Sequence, residues 1–257
     1  MALIDQLSQV ANQVFAFQEC DTLFPDKLKS SQFNRSEVMS RYIEKMSNAQ
    51  DRVFGNPRVP TGKNIFSFPM TFGDINHINI QDFPQALDSD FFIVFGASFI
   101  KGSLCDFLVE KGALNIHMGV SPFYRGSSCN FWSMYKKDFQ YMGATIHKLS
   151  KGLDSGPILM TVFPEPELID PFELTMKSVK SAQNALAAYL SKIYNNPSEQ
   201  LEARPQDRSK ERCYTRAKDF TDEVAKDYLE NLPLEEDIVR AMKERNLNLF
   251  VNPVICS

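Results

Sequence analysis

The sequence predicts an α/β fold: a mostly parallel sheet covered by helices, with a small, mainly helical C-terminal appendage. Three observations carry that prediction. Short apolar runs alternate with helical patterns from residue 64 to residue 194, as in strands joined by crossover helices. Phe91-Phe92-Ile93-Val94-Phe95 is an unbroken apolar run ended by Gly96, the pattern of a strand buried on both faces. After Asn195 the texture changes to a polar stretch and two helical patterns. The division expected is therefore 1–200 for the main domain and 201–257 for the appendage.

In chain order, residues 3–10 read as a short helix and 13–17 as a strand. No G-x-G-x-x-G follows that strand, so a dinucleotide fingerprint is absent. The opening strand and glycine-bearing turn usual in such a sheet are missing or divergent before Leu3. Residues 21–63 are polar and mixed, with a helix expected over 36–47, introduced by Arg35-Ser36-Glu37. Residues 56–63 hold two prolines and a glycine and read as loop. Strands are expected at 64–68, 91–95, 113–116, 143–149 and 157–163, the last two as neighbours. Helices are expected at 84–87, 104–111 and 130–136, with a long amphipathic one at 173–194. In the appendage, helices are expected near 221–229 and 234–245.

Composition narrows the function. A chain of 257 residues with 43% hydrophobic content buries a sizeable core, and 21 Phe against one Trp make that core rich in phenylalanine. The formal net charge of -4 argues against a nucleic-acid partner, while leaving room for a local cationic cluster that binds phosphate. Cys20, Cys105, Cys129, Cys213 and Cys256 are scattered, without metal-ligand spacing, so reduced thiols and no metal are expected. The N-terminus lacks the basic and apolar pattern of a secretion signal, and the longest apolar run is too short to span a bilayer. A cytoplasmic protein without a membrane partner is the expectation.

The chemistry concentrates at strand ends. Asn115 and His117 are two apart, so alternation points both side chains to one side of a strand. Asp154 follows in the glycine-flanked loop Gly152-Leu153-Asp154-Ser155-Gly156. An amide, an imidazole and a carboxylate together can stabilise an oxyanion, move a proton and orient the imidazole. Each alone is as well explained as a turn or a structural hydrogen-bonding residue. His147 reads as a buried strand residue, and His77 has no partner motif.

Four segments agree in order and spacing: Asn115-x-His117; Ser121-Pro122-x-Tyr124-Arg125-Gly126; Gly143-Ala144-Thr145-Ile146-His147; and Gly152-Leu153-Asp154-Ser155-Gly156-Pro157-Ile158-Leu159. Together they resemble the formyltransferases that use 10-formyltetrahydrofolate, strongly over residues 91–163 and weakly outside them. The resemblance implies a Rossmann-like formyltransferase domain, with Asn115, His117 and Asp154 as the catalytic trio. It implies a folate pocket at Phe95, Gly96, Ser98, Phe99 and Ile100, completed by Lys151, Gly152 and Leu153. For Phe95 and Phe99, plain core packing is an equal alternative.

For the acceptor amine, the stretch Ser121–Trp132 and the ending Cys213-Tyr214-x-Arg216-x-Lys218-Asp219-Phe220 look like bacterial nucleotide-sugar N-formyltransferases of the GDP-perosamine type. That resemblance implies a nucleotide-linked 4-amino-4,6-dideoxyhexose destined for surface polysaccharide such as O-antigen. The substrate-binding candidates it implies are Gly119, Ser121, Tyr124, Arg125, Asn130 and Trp132. Lys136, Lys137, Arg216 and Lys218 join Arg125 as diphosphate candidates, each of which also reads as solvated surface. Gly119 departs from the Ser-Leu-Leu-Pro of several relatives. The acidic tail and the absent phosphate loop fit methionyl-tRNA and glycinamide ribonucleotide less well. Those acceptors, hydrolysis of the formyl donor and a catalytically idle folate- or nucleotide-binding module stay as alternatives. An uncovered sheet edge makes a homodimer plausible.

Overall fold

The computed structural model describes residues 1–20, 36–55 and 59–257. The expectations for 21–35 and for residues 56–58 of the 56–63 loop lie outside the described residues.

The chain opens with α1 (Ala2–Val10) and β1 (Val14–Cys20), then α2 (Glu37–Phe54) and β2 (Ile65–Thr71). The Ser36 hydroxyl caps α2 by accepting from the Met39 amide at 3.0 Å, as its sequence signature requires. That helix runs past the expected end at residue 47 and stops at Gly55, whose φ of +70° suits glycine. A short α3 (Pro84–Leu87) precedes β3 (Ile93–Phe95), α4 (Gly102–Glu110) and β4 (Leu114–His117). Next come β5 (Tyr124–Gly126), α5 (Cys129–Tyr135), β6 (Ala144–Lys148) and β7 (Ile158–Pro164). The long α6 (Pro171–Asn195) begins on Asp170, whose carboxylate accepts from the Phe172 amide at 2.8 Å, with Pro171 in the first turn. The last elements are β8 (Cys213–Thr215), α7 (Asp222–Glu230), α8 (Glu235–Lys243) and β9 (Pro253–Cys256).

The main sheet has five strands in the order β3-β4-β6-β7-β9. Its outer pairs, β3 with β4 and β7 with β9, are parallel, and the two inner pairs are antiparallel. Two further parallel pairs, β1 with β2 and β5 with β8, make the strand pairing mostly parallel overall. β7 is buried along its whole length, as a central strand should be. Ile116, Ile146, Leu159, Met160 and Val162 pack against Ala182, Leu186 and Leu190 of α6. Each fully buried Leu of that helix contributes about 1.5–3 kcal/mol. A second, aromatic core joins Phe131, Trp132, Tyr141, Phe163 and Phe250 with α7 and α8.

Two expectations are corrected. Ile93, Val94 and Phe95 are half-buried, not enclosed on both faces, because β3 is the edge of its sheet and looks onto a cavity. The segment after residue 200 holds the two expected helices as α7 and α8, but it is also woven into the sheets rather than only packed on the core. β9 is a strand of the main sheet, β8 pairs with β5, and Arg204 bridges to Ile158. Runs of three and four residues such as Cys-Tyr-Thr and Pro-Val-Ile-Cys are too short to announce themselves, and pairing partners far away in sequence make them strands.

Candidate active site

The antiparallel pairing of β4 with β6 sets Asn115 directly opposite His147, and His117 opposite Thr145. The loop joining β6 to β7 then folds back so that Asp154 meets all three polar side chains. His117 Nδ1 lies 3.2 Å from Asp154 Oδ2, and His147 Nε2 lies 3.6 Å from Asp154 Oδ1. The Asn115 amide nitrogen donates to Asp154 Oδ1 at 3.2 Å and to His147 Nε2 at 3.0 Å. His147 Nδ1 is 2.8 Å from the Lys148 carbonyl, so the tautomer protonated at Nδ1 satisfies both of its contacts.

The expected trio is therefore assembled, with His147 as a fourth member that the sequence reading assigned to plain packing. Its signal was present in the Thr145-Ile146-His147 alternation, but its partner across the sheet depends on register. One further difference concerns Asn115. Both of its amide hydrogens are directed to His147 and Asp154, so the donor left for an oxyanion is His117 Nε2–H. That nitrogen has only long contacts, 3.4 Å to the Tyr124 carbonyl and 3.6 Å to Cys129 Sγ.

The electrostatics of the pair are reciprocal. Burial of His117 opposes its charged form, yet hydrogen bonds and charge from Asp154 and Cys129 outweigh it and push the imidazole up to about 10. Burial likewise raises the Asp154 carboxyl, but the hydrogen bond and charge of His117 hold it well below the usual carboxylate range. Both shifts favour an imidazolium–carboxylate pair.

The Asp154 loop is held by residues from distant segments. Asp154 has a φ of +43°, a left-handed conformation that Asp tolerates better than most residues. Gln206 donates to the Asp154 carbonyl at 2.9 Å and to the Gly156 carbonyl at 2.8 Å. Arg125 donates to the Leu153 carbonyl at 3.3 Å and pairs with Glu211 at 2.9 Å. A Cβ on Gly156 would stand 1.8 Å from the Lys148 carbonyl oxygen, so this glycine is required for the loop to close onto β6.

The candidate folate residues lie in two loops, one following β3 and one joining β6 to β7. Phe99 and Leu153 are exposed, at 56% and 51%, so neither belongs to the core. Gly96 and Gly152 are exposed, and Phe95, Ser98 and Ile100 are half-buried. Lys151 pairs with Asp106 of α4 at 2.6 Å, tying the second loop to the helix that follows the first. The exposed apolar side chains and open backbone of these loops suit a flat heterocycle with polar edges.

The expected acceptor-binding surface is corrected by burial. The Tyr124 side chain is interior and donates to Asp138 at 2.7 Å. Trp132 packs edge-on against Phe131 and Tyr135, taking the core alternative. Asn130 is interior, accepting from the Gly143 amide at 3.0 Å, and Ser121 is interior beside a cis Pro122. Arg125 is buried with its guanidinium engaged as described, and Lys136 lies 3.1 Å from Cys213 Sγ. Gly119 sits where a Cβ would come within 2.5 Å of Cys129 Cβ and 2.7 Å of His117 Nε2, which explains a glycine at that place. Lys136, Lys137, Arg216 and Lys218 remain exposed.

Comparison with known proteins fits this geometry. Residues 79–188 match the family model described as Formyl transferase. The chain is similar to a methionyl-tRNA formyltransferase of Thermotoga maritima, 29% identical over 141 residues, covering 53% of this chain and 42% of the relative. It is also similar to the GDP-perosamine N-formyltransferase of Brucella melitensis, 28% identical over 94 residues, covering 32% of this chain and 36% of the relative. The chain thus spans about half or less of the length of these relatives. Among solved structures it is similar to the formyltransferase PseJ from Anoxybacillus kamchatkensis, with a TM-score of 0.47 and 16% identity over 90% of this chain and 97% of that one.

Proposed function

We propose that this protein transfers a formyl group from 10-formyltetrahydrofolate to the amine of a nucleotide-linked amino sugar. The observation that carries the transfer reaction is the meeting of Asn115, His117 and Asp154 at the ends of β4 and the β6–β7 loop, inside the segment that matches the formyl transferase family. When bound, the folate supplies an activated formyl group. His117 Nε2–H donates to the oxygen on which negative charge develops, and its two long contacts make it a ready donor. Asp154 holds the imidazolium in place. As the new carbon–nitrogen bond forms and the old one breaks, His117 gives its proton to the departing nitrogen and takes one from the incoming amine. Asn115 and His147 fix the Asp154 carboxylate for this exchange.

The Ser121–Trp132 pattern and the Cys213–Phe220 ending support the nucleotide-sugar reading, as does similarity to a GDP-perosamine N-formyltransferase. In that reading the product feeds surface-polysaccharide assembly from the cytoplasm. Similarity to methionyl-tRNA formyltransferases favours a second reading with an aminoacyl-tRNA as acceptor. The test is release of tetrahydrofolate from 10-formyltetrahydrofolate in the presence of GDP-, UDP- and dTDP-linked 4-amino sugars, methionyl-tRNA, glycinamide ribonucleotide or water alone. Saturable turnover with one amino sugar supports the proposal. Turnover with methionyl-tRNA and with no sugar supports the second reading, and release without acceptor marks a hydrolase.

A further inference from the structure

Cys129 stands at the side of the His117 ring that Asp154 leaves open. Its Sγ lies 3.6 Å from Nε2, while Nδ1 of the same ring faces Asp154 Oδ2 at 3.2 Å. The imidazole is therefore held between a carboxylate on one nitrogen and a thiol on the other. The thiol has a second partner, the Gly126 carbonyl at 3.5 Å. Cys129 and His117 are both buried, which keeps bulk water from competing for the contact.

The backbone around the thiol is shaped to bring it there. Cys129 opens α5 directly after Ser128, whose φ of +55° is left-handed and unfavourable for serine. Strain of this kind persists where the surrounding structure holds it, and here it aims Cys129 at His117. Gly126 has a φ of +92°, and a Cβ there would stand 1.9 Å from the Thr215 carbonyl oxygen. β5 and β8 pair at that point, so the Gly126 carbonyl is fixed by a strand distant in sequence. From the other side Gly119 leaves the room that the thiol needs. A Cβ at 119 would come within 2.9 Å of Cys129 Sγ and 2.7 Å of His117 Nε2.

Two groups reach Nε2 among the described residues, and they differ in what they can do. The Tyr124 carbonyl, at 3.4 Å, only accepts, so it serves the charged ring alone. A thiol both accepts and donates. With the ring charged, Nε2–H donates to Sγ and the S–H donates to the Gly126 carbonyl. When Nε2 gives its proton to the departing nitrogen, the S–H turns to the bare Nε2. When the incoming amine returns a proton to Nε2, the S–H swings back to Gly126. No proton leaves the sulfur, and Nε2 keeps a partner throughout. We propose that Cys129 is a positioning residue for formyl transfer, holding the His117 ring at Nε2 through both of its charge states. The proposal rests on the reading of His117 as the proton carrier of that transfer.

The test compares wild type with Cys129→Ala and Cys129→Ser. Alanine keeps an apolar filling and deletes the hydrogen bond. Serine keeps a group that donates and accepts but places a hydroxyl in a buried position. A thiol that only packs makes alanine the milder change; a thiol that bonds to His117 makes serine the milder one. With 10-formyltetrahydrofolate and the acceptor that supports turnover, Cys129→Ala should lower kcat roughly 3–10-fold with KM unchanged. Cys129→Ser should recover part of that loss. The titratable groups facing His117 among the described residues are Asp154, Cys129 and, beyond Asp154, His147. The contact with Cys129 favours the charged ring. In Cys129→Ala the alkaline limb of kcat and the His117 midpoint by NMR should therefore both move to lower pH, by about half a pH unit or more. Unchanged kcat and pH limb in Cys129→Ala, or higher kcat in Cys129→Ala than in Cys129→Ser, overturns the proposal. The NMR midpoint needs no substrate and only the alanine variant, so an unmoved midpoint overturns it whether or not any acceptor is formylated. A wild type that formylates no acceptor counts instead against the transfer reading.

Discussion

His117 Nδ1 and Asp154 Oδ2, 37 residues apart in sequence, stand 3.2 Å apart between β4 and the β6–β7 loop. Each shifts the other's protonation towards the charged form. The pair is the centre of the proposed reaction, with consequences for both turnover and stability.

Replacing Asp154 with Asn removes the charge that holds the imidazolium. Turnover should fall by about 10²–10⁴-fold, and the His117 midpoint in an NMR titration should drop from about 10 towards the ordinary histidine range. A His117 midpoint that stays high in the variant would show that Asp154 is not its source.

The same pair makes stability depend on pH. His117 has a folded value above its unfolded one, so its contribution is fully present below about pH 6.5 and is lost as pH rises towards about 10. Asp154 has a depressed value, so its contribution is present above about pH 3.9 and is lost as pH falls below that. The Tm difference between wild type and Asp154→Asn should therefore be largest between about pH 4 and 6.5 and shrink towards pH 10. Calorimetry across that range reads it directly, and a difference that grows with alkaline pH would reverse the assignment.

His147→Phe keeps a ring of similar breadth but loses the acceptor for the Asn115 amide. With Asn115 and Asp154 less firmly placed, kcat should fall by roughly 10–100-fold with little change in KM. An effect confined to KM would assign His147 to substrate contact instead.

Gly119→Ala places a methyl group against Cys129 and His117. It should destabilise the fold by about 1–3 kcal/mol. Adding Cys129→Gly removes the nearest obstructing atoms, so the double variant should recover part of the loss. Denaturant unfolding of the four chains measures the coupling, and simple additivity of the two changes would mean that the clash is relieved elsewhere.

Arg245 is buried without a carboxylate partner among the described residues, donating to the Gln140 carbonyl at 2.7 Å and lying 3.9 Å above the Phe163 ring. Burial pushes the guanidinium down to about 10. Arg245→Ala leaves buried carbonyls unmatched and a cavity beside Phe163, and should cost about 2–4 kcal/mol in urea unfolding. A change within about 0.5 kcal/mol would mean that water replaces the guanidinium at those carbonyls.

The sequence by itself determined the α/β class, the long α6, the strand positions around the site and the trio of Asn115, His117 and Asp154. All but Asp154 rest on local properties, namely hydrophobic period, capping at Ser36 and the two-residue alternation of a strand. Asp154 joined the trio through the family resemblance of its glycine-flanked loop. It did not determine what faces what. His147 became part of the site because antiparallel register sets it opposite Asn115, and register is fixed by packing far from either residue. Arg125, Tyr124, Asn130 and Trp132 read as binding residues by type, but the fold turns them inward to hold the loop and the aromatic core. Gln206 reaches the Asp154 loop, and β9 joins the main sheet, from a segment whose short runs carry no signal until a partner strand is beside them. Local preference selects the elements; burial and pairing over long sequence separation decide which side chains share a site.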